Sequence, residues 1–221
     1  MPMVQDVNIS TEHRTSPILT HAEAISSGMT RTDVKRLTPI MYGHYSIVGP
    51  VPFPVRAAAV LRTAGNDAVL CGATVLRLSG VDLPGRLVRD TRVWIQVPAR
   101  QTWPRRPQVR LVRSDNVGVT RLCSGLPTAD LASCWLQLAA ESTIDELVEV
   151  ADAMMRRKQP FTTRATLTAT IDSHKGSPGI RRARAALDLS REGTDSIPET
   201  DLRLLLVRGG ITGSSCQFRH Y

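Results

Sequence analysis

The chain has 221 residues, of which 42% are hydrophobic and 22% charged, so its composition is that of a folded protein rather than a disordered one. The formal net charge of +8 favours an acidic partner such as nucleic acid. No apolar run approaches the roughly 18 residues of a membrane helix, and the first residues lack a secretory-signal pattern. The four cysteines form no CxxC pair. We therefore expect a cytoplasmic protein that holds neither a metal ion nor a cofactor.

The positive charge is concentrated in the middle of the sequence. Residues 53–122 contain 12 Lys and Arg against four Asp and Glu, whereas residues 1–52 contain four of each. Nearly all the cations of the chain are arginine, since Lys35, Lys158 and Lys175 are its lysines. Arginine suits bidentate contacts with phosphate and guanine. A nucleic-acid partner and an ordinary solvated surface both account for this charge.

The first recognisable elements are two short helices and a strand pair. Thr20-His-Ala-Glu23 and Thr30-Arg-Thr-Asp33 have capping-box spacing and predict two helix starts, with Gly28 breaking the chain between them. Residues 40–48 are rich in strand formers. Two short helices followed by a hairpin form a winged helix-turn-helix pattern, which we assign to residues 1–52.

In a winged helix-turn-helix, the second helix enters the major groove of DNA and the hairpin lies beside the backbone. The second helix is predicted over residues 31–38, with Val34 and Leu37 facing inward. The alternative is a helical pair that only packs on the next domain. The candidate DNA-binding side chains of this region are Arg31, Thr32, Lys35 and Arg36 on the helix, and Tyr42 and His44 on the hairpin.

The basic middle of the chain predicts a mixed α/β domain over residues 53–172. Residues 55–80 favour two helices, the second running from Val69 to Leu78. Residues 91–97 have the alternation of a half-buried strand, and residues 108–113 form a plausible partner strand. A proline-bounded loop, residues 98–107, joins them. It carries Arg100, Trp103, Arg105 and Arg106, which suit either a phosphate backbone with an unstacked base or a solvated hairpin tip.

The rest of the sequence predicts helices. Thr128 is the expected cap of a helix over 129–140, and Thr143-Ile-Asp-Glu146 is a full capping box before an amphipathic helix. The expected buried stripe of that helix is Ile144, Leu147, Val148, Ala151, Met154 and Met155. Further helices are predicted within residues 162–171, 180–189 and 198–208. Residues 173–221 are assigned to a helical C-terminal segment.

Three parts of the sequence resemble known families. Residues 19–48 are similar to the N-terminal winged helix of AbiEi-type antitoxins, the DNA-binding halves of type IV toxin–antitoxin pairs. The motifs Gly80-Val-Asp-Leu-Pro84, Val93-Trp-Ile-Gln-Val-Pro98 and Ser124-Gly-Leu-Pro127 resemble the second domain of that family in actinobacteria. Residues 196–210 look like the first helix of a very-short-patch-repair endonuclease domain, with Glu199 at its acidic position.

The resemblance implies an antitoxin-like repressor that binds double-stranded DNA and opposes a nucleotidyltransferase toxin. It implies an α+β fold with a winged helix-turn-helix, a mixed central domain and a truncated nuclease remnant. Such a nuclease needs a carboxylate followed by an acidic-x-Lys pair to hold Mg²⁺. No acidic residue follows Asp201 and no lysine follows Lys175. We therefore expect no catalytic residues and no enzyme activity.

Two further hypotheses remain open at this point. The first is a catalytically inactive remnant of a nuclease from a defence or mobile-element locus, with weak non-specific affinity for DNA. The second is an interaction module that holds a partner protein through its central domain.

Overall fold

The chain has an α+β fold. The structure, a computed structural model, describes residues 18–41, 43–115, 119–122, 125–194 and 196–209. These residues form ten helices and two sheets. The fold divides into two compact units: Met1–Ser79 with Arg89–Cys134, and Gly80–Val88 with Trp135–Tyr221.

The first unit begins with a small antiparallel sheet. Its strands are β1 (Ile18–Thr20), β2 (Thr38–Met41) and β3 (His44–Ser46), in the order β1-β3-β2. Helices α1 (His21–Ser26) and α2 (Arg31–Arg36) connect β1 to β2. Both predicted capping boxes are confirmed, because the hydroxyls of Thr20 and Thr30 accept from the amides of Glu23 and Asp33 at 3.1 and 3.2 Å.

The small sheet packs on the next helix, α3 (Phe53–Ala64). Ile18 from β1, Ile40 from β2 and Ala59 from α3 form one buried cluster, with Val51 and Val55 packed against it. Burial of these side chains holds the small sheet against α3. Helices α1 and α2, which connect two of its strands, belong to the same compact unit as the central sheet.

The central sheet has five strands. They are β4 (Val69–Leu70), β5 (Val93–Val97), β6 (Val109–Arg113), β7 (Val119–Arg121) and β8 (Pro127–Ala129), in the order β6-β5-β4-β8-β7. Strand β5 runs parallel to β6, and β4 runs parallel to β8. The pairs β4–β5 and β7–β8 are antiparallel. Helices α4 (Gly72–Leu78) and α5 (Gly85–Arg89) lie between β4 and β5 in the sequence.

Three predictions for this region were wrong. Residues 69–70 form a strand rather than the start of a helix, and α4 begins only at Gly72. A Cβ atom at Gly72 would lie 2.3 Å from the Trp94 ring, so the helix and β5 approach too closely for a side chain. Strand β5 is buried along its whole length rather than half-buried, and helices α3 and α4 both pack against it. The loop at 98–107 is not a hairpin tip, since it links parallel strands.

The second unit is built from helices α7 (Ile144–Met154), α8 (Arg164–Ser173), α9 (Ile180–Leu189) and α10 (Ile197–Arg208), and α6 (Leu131–Leu138) precedes them. Helix α7 packs against α9 and α10. The predicted Thr143 capping box is confirmed, and the predicted stripe is buried except for Ile144, which is half-buried. Thr128 does not cap α6: it lies in β8, and the Asp130 carboxylate accepts the Ser133 amide instead.

A buried carboxylate at the centre of this unit was not predicted. Asp152 is 1% exposed and accepts hydrogen bonds from Arg203 Nη2 at 2.6 Å, Thr200 Oγ1 at 2.9 Å and the Arg191 amide at 2.7 Å. These donors come from α10 and from the segment before it, so one carboxylate of α7 holds both in place. Burial raises the pKa of Asp152, and the Arg191 amide and the Arg203 charge oppose that rise.

The boundaries of the two compact units differ from those of the three predicted segments, which are 1–52, 53–172 and 173–221. Ile18 of β1 and Ile40 of β2 pack with Ala59 of α3, so the strands before residue 52 lie in one unit with α3. Helix α7 contacts α9 and α10, which joins residues on both sides of position 173. None of the helices in the described ranges combines the length and the apolar content that a membrane span requires.

Candidate nucleic-acid interface

Helix α2 displays a cationic face to solvent. The Thr30–Asp33 capping box starts the helix, and Val34, 3% exposed, anchors it to the unit. Arg31, Thr32, Lys35 and Arg36, the four predicted reading residues, are all exposed. Arg31 and Lys35 take part in no hydrogen bond or ion pair with the described residues. Their charged ends are therefore available to an outside partner.

The helix is shorter than predicted. It ends at Arg36 because Leu37 has an extended backbone with ψ near 152°, and the chain continues directly into β2. The residue before a proline avoids helical geometry, which explains why Thr38, before Pro39, is extended. The shortening leaves all four candidate side chains of α2 within the helix.

The acidic groups at the starts of α1 and α2 are engaged in capping. The Thr20 backbone amide lowers the pKa of Glu23, and the nearby Arg62 charge adds to this effect. The Thr30 hydroxyl lowers the pKa of Asp33. Both carboxylates are ionised at neutral pH, so α2 presents three cations against one anion.

The hairpin does not present the side chains that the sequence predicted. His44 is 8% exposed, and its Nε2 lies 2.9 Å from Thr63 Oγ1 of α3. The assignment of His44 to a DNA-binding surface is corrected for that reason: the ring faces the unit's interior. Tyr42 lies outside the described residues. The hairpin turn is held in place by a hydrogen bond, which the Gly43 carbonyl accepts from the His21 amide at 2.8 Å.

The loop at residues 98–107 is anchored to its own unit and exposes two arginines to solvent. Arg100 and Arg105 are exposed, whereas Arg106 is half-buried and its Nε is enclosed. Trp103 is 9% exposed, so its indole anchors the loop instead of offering a surface on which a base could stack. The base-stacking interpretation of Trp103 is therefore wrong. The interpretation of the arginines as phosphate contacts remains a prediction.

The last turn of α3 joins the hairpin to this loop. His44 contacts the Thr63 hydroxyl, and Gln101 Nε2 donates to the carbonyl of the next residue, Ala64, at 2.9 Å. Consecutive Cα atoms are about 3.8 Å apart, so the two segments meet at one place on α3. Arg62, exposed in the same turn, is a further cation, and no motif in the sequence indicates it. Only the packing of α3 shows its position.

Comparison with known proteins assigns the chain to no family. No family model matches the chain, and no curated protein matches it. The candidate interface therefore rests on the geometry of its own residues.

Proposed function

We propose that this chain binds double-stranded DNA through α2 and the loop at residues 98–107, and that it acts as an antitoxin-like repressor. The observation that carries the proposal is the exposed face of α2. Three cations and one threonine project from a six-residue helix whose opposite side is anchored by Val34. Within the described residues, Arg31 and Lys35 have no partner that would neutralise them.

The chemistry of these side chains fits a division of roles. In the major groove, Arg and Lys donate to guanine, and a threonine contacts either a base edge or the methyl group of thymine. Arg31, Thr32 and Lys35 are the base-reading residues in this proposal. Arg36, Arg100 and Arg105 contact phosphates, which fixes the orientation of the protein on the duplex without reading sequence.

The two helices and the three-stranded sheet support a winged helix-turn-helix. Helices α1 and α2 are joined by a turn in which Gly28 has φ of +91°, a conformation that favours glycine. The short hairpin β2–β3 follows α2 directly, as the wing follows the reading helix in such domains. Because Gly43 and His44 are held by the unit itself, the wing in this proposal contributes little direct contact with DNA.

The repressor role extends the DNA-binding proposal to a biological setting. Antitoxin-like repressors restrain their own operons, so the DNA upstream of the chain's own gene is the expected target. The partner implied by this role is a nucleotidyltransferase toxin encoded beside the gene. This part of the proposal is supported by the resemblance of residues 19–48 to the winged helix of such antitoxins.

The test is a gel-shift measurement with that upstream DNA. We expect the double variant Arg31→Ala with Lys35→Ala to lose specific binding, because each lost base contact costs about 1–3 kcal/mol. Its melting temperature should stay unchanged, since both side chains are exposed and make no internal contact.

A matched control removes the same charge elsewhere. Lys175 and Arg181 are exposed in the second unit and, like Arg31 and Lys35, make no hydrogen bond or ion pair with the described residues. The variant Lys175→Ala with Arg181→Ala should shift the upstream DNA as the unmodified protein does. Equal binding by both double variants would refute the placement of the reading helix at α2.

A further inference from the structure

Two arginines of the first unit that are not part of the candidate interface contact one aromatic ring, that of Phe53. The guanidinium carbon of Arg77 lies 4.5 Å from the centroid of the Phe53 ring, and that of Arg56 lies 5.3 Å from it. Each contact is a favourable cation–π interaction. Both arginines are half-buried, and the charge of Arg77 acts on Arg56. Burying the Arg56 guanidinium beside a like charge is unfavourable unless an anion balances Arg56.

Arg56 has no such balance within the described residues. It forms no ion pair, and its Nε is enclosed without a hydrogen-bond partner. By contrast, Arg92 and Arg203 both pair with carboxylates, at 2.8 and 2.6 Å. Burial lowers the pKa of Arg56, and the charge of Arg77 lowers it further. Both effects disfavour the positively charged form of the Arg56 guanidinium.

The N-terminal end of α3 and the Arg77 side chain both add positive charge beside Phe53. Phe53 is the first residue of α3, and no side chain caps this helix at Pro52. The N-terminal end of a helix carries a partial positive charge. Arg77 is held in position, since its Nη2 donates to the backbone carbonyl of Asp90 at 3.1 Å.

We propose that Arg56 and Arg77, beside Phe53, form a binding site for a phosphate group. A guanidinium offers a planar fork of donors that matches two oxygens of a phosphate, and a pair of them matches the charge of the dianion. Both guanidinium groups contact the Phe53 ring, and Arg77 is also held by the Asp90 carbonyl. The phosphate comes either from a small phosphorylated compound or from the backbone of DNA, and the experiment separates these sources.

The first arm uses inorganic phosphate as the probe. At a concentration ten times its Kd, phosphate should raise the melting temperature by about 4 °C over chloride of equal ionic strength. Arg56→Gln should abolish this rise. Arg62→Gln, which removes an exposed cation from the same helix, should keep it. No difference between phosphate and chloride would overturn the proposal.

A second measurement separates binding from a purely structural role of Arg56. In chloride alone, Arg56→Gln should change the melting temperature little, because the loss of the cation–π contact with Phe53 and the relief of the repulsion by Arg77 act in opposite directions. A lower melting temperature together with an unchanged response to phosphate would mean that Arg56 serves packing only, and the proposed site would be wrong.

The last arm assigns the source of the phosphate with a 20-base-pair duplex of the upstream DNA. A roughly ten-fold weaker affinity in Arg56→Gln assigns the site to the DNA backbone. Unchanged affinity, together with the lost response to inorganic phosphate, assigns it to a small phosphorylated compound. The second result leaves the site intact even if the DNA-binding proposal for α2 fails, because its readout is phosphate and not DNA.

Discussion

Two carboxylates of α7 lie three positions apart and meet different surroundings. Asp152 is enclosed by donors from Arg203, Thr200 and the Arg191 amide. Glu149 is half-buried and faces other acids: burial, followed by the charges of Asp201, Glu146 and Asp145, raises its pKa to about 7. A carboxylate that faces like charges is a destabilising group once it is ionised.

We predict that Glu149 makes the folded state less stable as the pH rises. The folded chain keeps a proton on Glu149 up to about pH 7, whereas the unfolded chain releases it near the ordinary pKa of glutamate, 4.5. The contribution of this group therefore falls between those two values and stays low above them. Glu149→Gln should raise the free energy of unfolding at pH 8 by roughly 1 kcal/mol, after allowance for solvent screening, and change it little at pH 5.

Denaturant titrations of both proteins at pH 5 and pH 8 measure this difference. Asp188→Asn, at an exposed position on α9 without a partner in the described residues, is the matched control and should show no such pH dependence. A Glu149→Gln effect of equal size at both pH values would contradict the assignment.

At the scale of elements, the loop at residues 98–107 is built to hold its arginines outward. Trp103 points in, Gln101 is tied to α3, and the Ala99 amide donates to the Asp115 carboxylate at 2.8 Å. With the loop fastened at three places, Arg100 and Arg105 face solvent from a fixed backbone. In the proposed DNA complex, these cations would contact phosphate with little loss of backbone freedom on binding.

The salt dependence of DNA binding tests the role of this loop. Each phosphate contact contributes about 0.9 to the slope of log K against log salt concentration. The variant Arg100→Ala with Arg105→Ala should therefore reduce the steepness of that slope by about two, and weaken specific and non-specific DNA alike. The variant Lys175→Ala with Arg181→Ala should leave the slope as it is. An unchanged slope in the loop variant would place the phosphate contacts elsewhere.

At the scale of the whole molecule, the sequence predicts local features better than those that depend on packing. The capping boxes at Thr20, Thr30 and Thr143 were predicted because each lies within four residues. The burial of His44 was missed because it depends on Thr63, nineteen residues away. Likewise, only the parallel register of β5 and β6 shows that the loop between them is no hairpin.

The candidate site also has residues whose exposure the sequence predicts and residues whose position depends on packing. The exposed residues of α2 follow from helical periodicity, once Val34 is recognised as the inward position. The inward indole of Trp103 has no signal in the sequence, since a tryptophan among arginines suits either orientation. The convergence of Arg56 and Arg77 on Phe53 joins residues of two helices, and no spacing in the sequence indicates it.

The central claim is that DNA contacts the molecule at α2. Amide chemical shifts of the ¹⁵N-labelled chain, followed while the upstream duplex is added, test it residue by residue. We predict that the largest changes fall within residues 31–36, with a second set at residues 98–107. Changes confined to residues outside these two segments, for example to α8 and α9, would contradict it.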